Sequence, residues 1–291
     1  MTQPAQKTWF ITGASSGLGL SMTRQLLARG DRVAATLRKP ERLNDLKAQY
    51  GDSLWAAELD VTDTDAIRTT LASAFGELGR IDVVVSNAGY GLFGAAEELS
   101  DQQIQQQIAT NLIGSIQLIR AAIPHLREQG GGRIIQVSSE GGQLAYPNFS
   151  LYHASKWGIE GFVESVAQEV APFGISITLS EPGPTATNFA EGLISPEPLA
   201  VYDQTPAGDV RRAVAEGNFG GFSHGDKVAW LMIESASLEP APKRQVYGEE
   251  AWQRLHDVYH GRLTTLDAQR DIAVSADTNT ALPNAIHSIM S

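Results

Sequence analysis

The sequence predicts an α/β protein, one domain built on a doubly wound parallel sheet of about seven strands. Three observations predict it. Short runs such as Val83-Val84-Val85 are apolar at every position, as strands buried on both faces must be. These runs alternate with segments whose apolar residues recur at helical spacing. The first run leads into a glycine-rich turn, Gly13-Ala-Ser-Ser-Gly17-Leu-Gly19, that opens one of those segments.

Taken in order, residues 8–12 form the first strand. Leu18, Met22, Leu26 and Leu27 keep helical spacing to about residue 28, where Arg29-Gly30 ends the segment. Residues 32–37 give a second strand and 40–50 a helix. A third strand covers 54–59, and Asp63 or Thr64 caps a helix that runs to about 75. Residues 82–86 are the fourth strand. A long helix over about 102–127, broken near Asn111, leads to the fifth at 133–137. The helix that begins near Tyr152 leads to the sixth at 175–180. In such a fold ligands bind at the carboxyl ends of the strands. Residues 182–225 are rich in glycine and proline with weak periodicity, and a loop this long is usually functional. The expectation is a substrate lid at about 184–225 with one or two short helices. A helix at 226–235, an edge strand at 245–247 and terminal helices over 249–273 follow. The domain spans 1–274, and the polar 275–291 reads as a loosely ordered tail.

With 291 residues and 42% hydrophobic content the chain can bury a large core. A net charge of -11 argues against nucleic-acid and anionic-membrane partners. There is no cysteine, which excludes disulfides, thiol catalysis and thiolate metal sites. No signal-like or membrane-spanning apolar run is found, so a soluble, cytoplasmic protein is expected.

Tyr152 and Lys156 are four residues apart, which puts both on one face of a helix. A phenol ordinarily titrates near pH 10 and is a poor acid or base at neutral pH. Lowering it by about three units takes roughly 4 kcal/mol of differential stabilisation, which a fixed cation can help supply. The glycine turn stands between strand and helix, where backbone N–H groups and the helix amino end receive a phosphate. Taken singly, Ser139 is a strand-end hydroxyl and Asn111 a helix-kink residue.

Together these residues resemble the short-chain dehydrogenase/reductase family. The blocks are Thr12-Gly-Ala-Ser-Ser-Gly-Leu-Gly19, Asn87-Ala-Gly89, Asn111, Ser139, Tyr152-x-x-x-Lys156 and Pro182-Gly183, in that family's order and spacing over about residues 7–250. Ser86 departs from it, standing where a second Asn is common, and the chain runs longer than compact members. The resemblance implies a Rossmann-type fold and a catalytic tetrad. Tyr152 would exchange a proton with the substrate oxygen and Ser139 would hydrogen-bond that oxygen. Lys156 would hold the nicotinamide ribose and lower the Tyr152 pKa, while Asn111 would hold a water. Gly13, Ser15, Ser16, Gly17, Leu18 and Gly19 would receive the pyrophosphate, and Asp60 and Val61 would meet the adenine. Asn87, Ala88, Gly89, Pro182 and Gly183 would line the cofactor channel, with Thr185 and Thr187 on the carboxamide. Central helices of this family commonly pair, so a homodimer or homotetramer is expected.

The second strand ends in Thr36-Leu37-Arg38-Lys39 with no acid before Glu41, which favours NADP(H) over NAD because Arg38 can pair with a 2′-phosphate. Leu144, Tyr146, Phe149, Phe189, Leu193 and Tyr202 would make an apolar pocket beside residues 90–93. The substrate expected is a medium-sized hydrophobic or aromatic ketone, or the matching secondary alcohol. No metal is expected.

Two alternative functions stand beside this one. A non-catalytic NADP-sensing binding protein would have no need of the full Asn, Ser, Tyr, Lys set. Gly221-Phe-Ser223-His-Gly225 matches the G-x-S-x-G pattern of serine esterases, with Asp257 and His260 in order behind it, but its surroundings read as loop. His256 and His260 share a helix face without an evident third metal ligand.

Overall fold

The computed structural model describes residues 6–187, 189–190, 192–217 and 222–277. Chain contacts divide it into two compact units, one through Ala251 and one from Trp252.

The first unit is a seven-stranded sheet. Its strands are β1 (Thr8–Thr12), β2 (Arg32–Leu37), β3 (Leu54–Glu58), β4 (Val83–Ser86), β5 (Gly132–Val137), β6 (Ile175–Pro182) and β9 (Arg244–Tyr247). Their order is β3-β2-β1-β4-β5-β6-β9 with every pair parallel. The connection crosses over between β1 and β4, so the carboxyl ends of those two strands border a crevice. Successive side chains of β1 sort to opposite layers. Trp9 and Ile11 pack with Met22 and Leu26 of helix α1 (Gly17–Arg29), whereas Phe10 packs into the layer that holds Ile67, Leu118, Ile159 and Val163. That second layer is formed by α3 (Thr64–Leu78), α5 (Ser115–Glu128) and α6 (Ser150–Val170). Between α1 and α3 lies the short α2 (Asn44–Tyr50), entered through a 3₁₀ turn at Pro40–Leu43 because proline has no N–H to donate and starts a turn well. The Asp63 carboxylate caps α3 by accepting from the Asp65 and Ala66 N–H groups.

The break expected near Asn111 is a π-helical stretch. Between α4 (Asp101–Ile108) and α5, residues Ala109–Gly114 are wound wider than an α-helix, and Asn111 sits inside, buried. Gly114 is required there, since a Cβ would lie 2.6 Å from the Val61 carbonyl oxygen.

The segment after β6 has more order than its composition indicates. Two-residue strands β7 (Thr185–Ala186) and β8 (Ser223–His224) pair in parallel, α7 (Pro206–Ala215) stands between them, and α8 (Gly225–Ser235) follows. Asn188, Glu191 and residues 218–221 of the expected lid lie outside the described residues, as do 278–291 of the expected tail. The second unit continues α9 (Glu249–Ala268) and adds α10 (Arg270–Ser275). Among the described residues no helix is long and apolar enough to cross a membrane.

Candidate active site

A cavity of about 730 Å³ opens at the carboxyl ends of the strands. One end is the glycine turn. Gly13 has φ +70, and a Cβ there would lie 2.8 Å from Ala88 Cα; at Gly19 a Cβ would lie 2.5 Å from the Gly13 oxygen and 2.6 Å from the Asn87 amide nitrogen. Both glycines let turn, helix and β4 end close on one another. Ser15, Ser16, Gly17 and Leu18 line the cavity, and Ser16, at the α1 N-cap, makes no side-chain cap. The first N–H groups of that helix are thus free of a side-chain acceptor and no acid stands in its first turn, which suits an anion. Gly19 itself is turned away from the cavity wall, and its part is close packing.

Asn87 holds this end together. Its Nδ2 donates to the carbonyls of Thr12 (2.9 Å) and Gly13 (3.3 Å), while the Thr12 hydroxyl accepts from Asn87 N and Ala88 N. Arg38, exposed at the end of β2, lines the cavity with Leu37, Asp60 and Val61 and makes no ion pair among the described residues. Asp60 accepts from Thr62 N and Thr62 Oγ1, and chiefly that backbone hydrogen bond, aided by Arg38, holds its carboxyl below the usual range against the effect of burial.

In the middle lie Ser139, Tyr152 and Lys156. Ser139 follows β5; its hydroxyl accepts from Gly141 N at 3.1 Å and reaches the Tyr152 phenol. Lys156 Nζ donates to the Val137 carbonyl at 2.9 Å and stands 5.7 Å from the centre of the Tyr152 ring. The expected lowering of the tyrosine pKa is not met by the protein's own groups. Burial pushes the phenol up to about 12, and Glu140 and Glu160 raise it too, against the Ser139 hydrogen bond. Burial likewise brings Lys156 down to about 8, opposed by Glu160. Asn111 does not reach the cavity wall; it grips the backbone of Tyr90, which does.

Toward the far end, Tyr146, Phe149, Phe189 and Leu193 line the cavity as the sequence indicated, and Phe149 and Phe189 stand 6.1 and 5.7 Å from the Tyr152 ring. Leu144 and Tyr202 do not. Leu144 is turned into the core, and the Tyr202 hydroxyl bonds Glu97 on the outside. Val214 of α7, Ile194 and Phe222 take those places, residues whose chain separation gave no signal. Pro182, Gly183, Thr185 and Thr187 complete the wall.

Two further residues went unread in the sequence. His153 is buried beside Tyr152, its Nδ1 against the Gly141 carbonyl (2.8 Å) and its Nε2 accepting from Tyr146 N (2.9 Å), which makes it a neutral Nδ1–H tautomer. It pins the 141–146 loop to α6. Glu140, next to Ser139 and also buried, accepts from the Tyr146 hydroxyl at 3.1 Å. The adjacency of both to the tetrad residues was the available signal. Ser223, by contrast, lies within the two-residue β8 that leads into α8, with its N–H on the Pro184 carbonyl, and Gly221 lies outside the described residues. Within its own helix Asp257 pairs with Gln253 and His256, and His256 stacks on Trp252.

A family model described as short chain dehydrogenase matches residues 7–197, which takes in the glycine turn, Ser139, Tyr152 and Lys156. This chain belongs to the short-chain dehydrogenase/reductase family. It is an oxidoreductase of that type. An oxidoreductase of Botryotinia fuckeliana is 37% identical over 84% of this chain and 90% of its own length. A solved short-chain dehydrogenase from Streptomyces avermitilis superposes with TM-score 0.87 at 34% identity, covering 95% of this chain and all of that one. An alcohol dehydrogenase of Thermococcus sibiricus, solved in complex with 5-hydroxy-NADP, shares the fold at TM-score 0.69 and 24% identity, over 83% of this chain and 96% of that one.

Proposed function

We propose that this family member is an NADP(H)-dependent carbonyl reductase or secondary-alcohol dehydrogenase acting on medium-sized hydrophobic or aromatic ketones and alcohols. The observation that carries the reading is the single cavity that joins an anion-receiving helix end and Arg38 to Ser139, Tyr152 and Lys156, and these to an aromatic far wall. The cofactor fits the residues present: the uncapped α1 terminus and glycine turn would receive its pyrophosphate, Arg38 its 2′-phosphate, and Thr185 and Thr187 its carboxamide. Structures of the same fold solved with NADP or 5-hydroxy-NADP bound support the same choice.

When bound, the nicotinamide supplies or accepts a hydride, and its oxidised ring carries a positive charge. In the reductive direction Tyr152 delivers the phenolic proton to the substrate oxygen, and Ser139 donates a hydrogen bond to that oxygen as charge develops on it. A phenol held near 12 is a competent acid toward an alkoxide. In the oxidative direction Tyr152 must accept a proton, which calls on Lys156 and the oxidised ring together to lower it. Phe149 and Phe189 exclude water from the reacting carbon.

Turnover of NADPH with a panel of apolar ketones tests the reading; no cofactor oxidation with any of them would remove its support. The central helices also expose Ile113 and Trp157, which accords with a homo-oligomer. Light scattering of the purified chain tests that.

A further inference from the structure

Behind the catalytic pair lies a buried ionic cluster that the tetrad does not include. Glu160 stands four residues after Lys156 on α6, and its side chain is 3% exposed. One carboxylate oxygen accepts from Ser138 Oγ and the other from Arg244 of β9. Arg244 also reaches Glu181, at the end of β6, at 2.5 Å, and Glu164 at 2.7 Å. Glu181 is fully buried, and its second oxygen accepts from the Gln143 amide. Gly142 makes room for the arrangement: a Cβ there would lie 1.7 Å from Glu160 Oε1. So α6, β5, β6, β9 and the loop after Ser139 are all shaped around one carboxylate.

Charge makes the arrangement informative. Two buried carboxylates, Glu160 and Glu181, face one half-buried guanidinium, and a buried cation, Lys156, stands nearby. The groups that face Glu160 are Lys156, Tyr152 and the more exposed Glu164 on α6, Ser138 at β5, Glu181 on β6 and Arg244 on β9; Glu140 acts on Tyr152 from the loop. Burial raises both carboxyls: it pushes Glu181, next to Glu160, up to about 7, and it raises Glu160 too, where the hydrogen bonds from Arg244 and Ser138 and the charges of Arg244 and Lys156 favour the ionised form. Burial disfavours the Lys156 ammonium, and the charge of Glu160 opposes this. Lys156 and Glu160 also grip the same end of β5, through Val137 O and Ser138 Oγ, directly before Ser139.

We propose that Glu160, held by Arg244, is the counter-ion that keeps the Lys156 ammonium charged, so that an arginine on the edge strand sets the pH range of the Tyr152–Lys156 pair. Both are positioning residues acting through Lys156. The inference rests on the proposed reductase reading for its effect on turnover, but the charge on Lys156 can be read without turnover.

The test is the pH dependence of Lys156 acetylation by acetic anhydride, followed by peptide mass spectrometry in the full chain. In Glu160→Gln the midpoint should fall by about one pH unit. Arg244→Gln, which lets the buried carboxylates take up protons, should move it the same way, and Arg244→Lys should restore it. Where NADPH-dependent ketone reduction is measured, the alkaline limb of kcat/KM should move with the midpoint. An unmoved midpoint in Glu160→Gln, even with a lower thermal midpoint, would make the cluster a structural brace and overturn the proposal. Should Glu160→Gln not fold, the contrast between Arg244→Gln and Arg244→Lys decides: equal midpoints overturn it. A shifted Lys156 midpoint without ketone turnover in the wild type would uphold the counter-ion and reject the reductase.

Discussion

Asn111 holds both backbone groups of Tyr90: its Oδ1 accepts from Tyr90 N at 3.1 Å and its Nδ2 donates to Tyr90 O at 2.8 Å. The wide π-helical turn brings the amide inward, and the cavity floor at Ala88–Tyr90 is fixed by it. Asn111→Leu leaves the Tyr90 N–H without its partner and the Tyr90 carbonyl with the Gln107 amide alone, at 3.2 Å. A loss of about 1–3 kcal/mol in urea unfolding is expected, together with weaker NADPH binding. Binding equal to the wild type would show that the floor does not depend on Asn111.

Arg38 is expected to discriminate between the two nicotinamide cofactors. A charge-assisted hydrogen bond is worth about 1.5–3 kcal/mol, so Arg38→Ser should raise the KM for NADPH roughly tenfold to a hundredfold and leave that for NADH nearly unchanged. An equal change for both would detach the arginine from the 2′-phosphate.

Two glycines make opposite predictions. Gly19→Ala sets a methyl against the Gly13 oxygen and the Asn87 amide, so cofactor binding should be lost and the thermal midpoint lowered. Gly76, within α3, has nothing within 4 Å of a built Cβ, so Gly76→Ala should stabilise by up to about 1 kcal/mol through helix propensity alone. Reversal of either sign in thermal melts would contradict the packing described.

His153 makes stability depend on pH. Burial holds its pKa below 6.5, despite the hydrogen bond to Gly141 O. The unfolded chain takes up a proton below about 6.5 while the folded chain resists, so the stability contribution is present above that pH and is lost as pH falls toward the folded-state value. In His153→Gln the melting temperature should fall less steeply than in the wild type from about pH 7 to pH 5. Parallel curves would assign the slope to other groups.

The sheet was legible in the sequence because strands buried on both faces read as continuous apolar runs. β1 and β2 stand where the pattern puts them, and β4 begins one residue later. The glycine turn, Ser139, Tyr152 and Lys156 were legible because each depends on local spacing. What escaped was set by distance in the chain. Arg244 meets Glu160 across 84 positions, and the aromatic wall draws Val214 and Phe222 from a segment without periodicity. The high phenol pKa escaped too, because burial decides it and spacing does not report burial.

The most direct measurement is NADPH oxidation by an apolar ketone, compared between the wild type and Tyr152→Phe. The account predicts turnover by the wild type, a kcat lowered about 10²–10⁴-fold in the variant, and an NADPH dissociation constant within about twofold. Turnover by Tyr152→Phe at the wild-type rate would remove the tyrosine as the group that handles the proton.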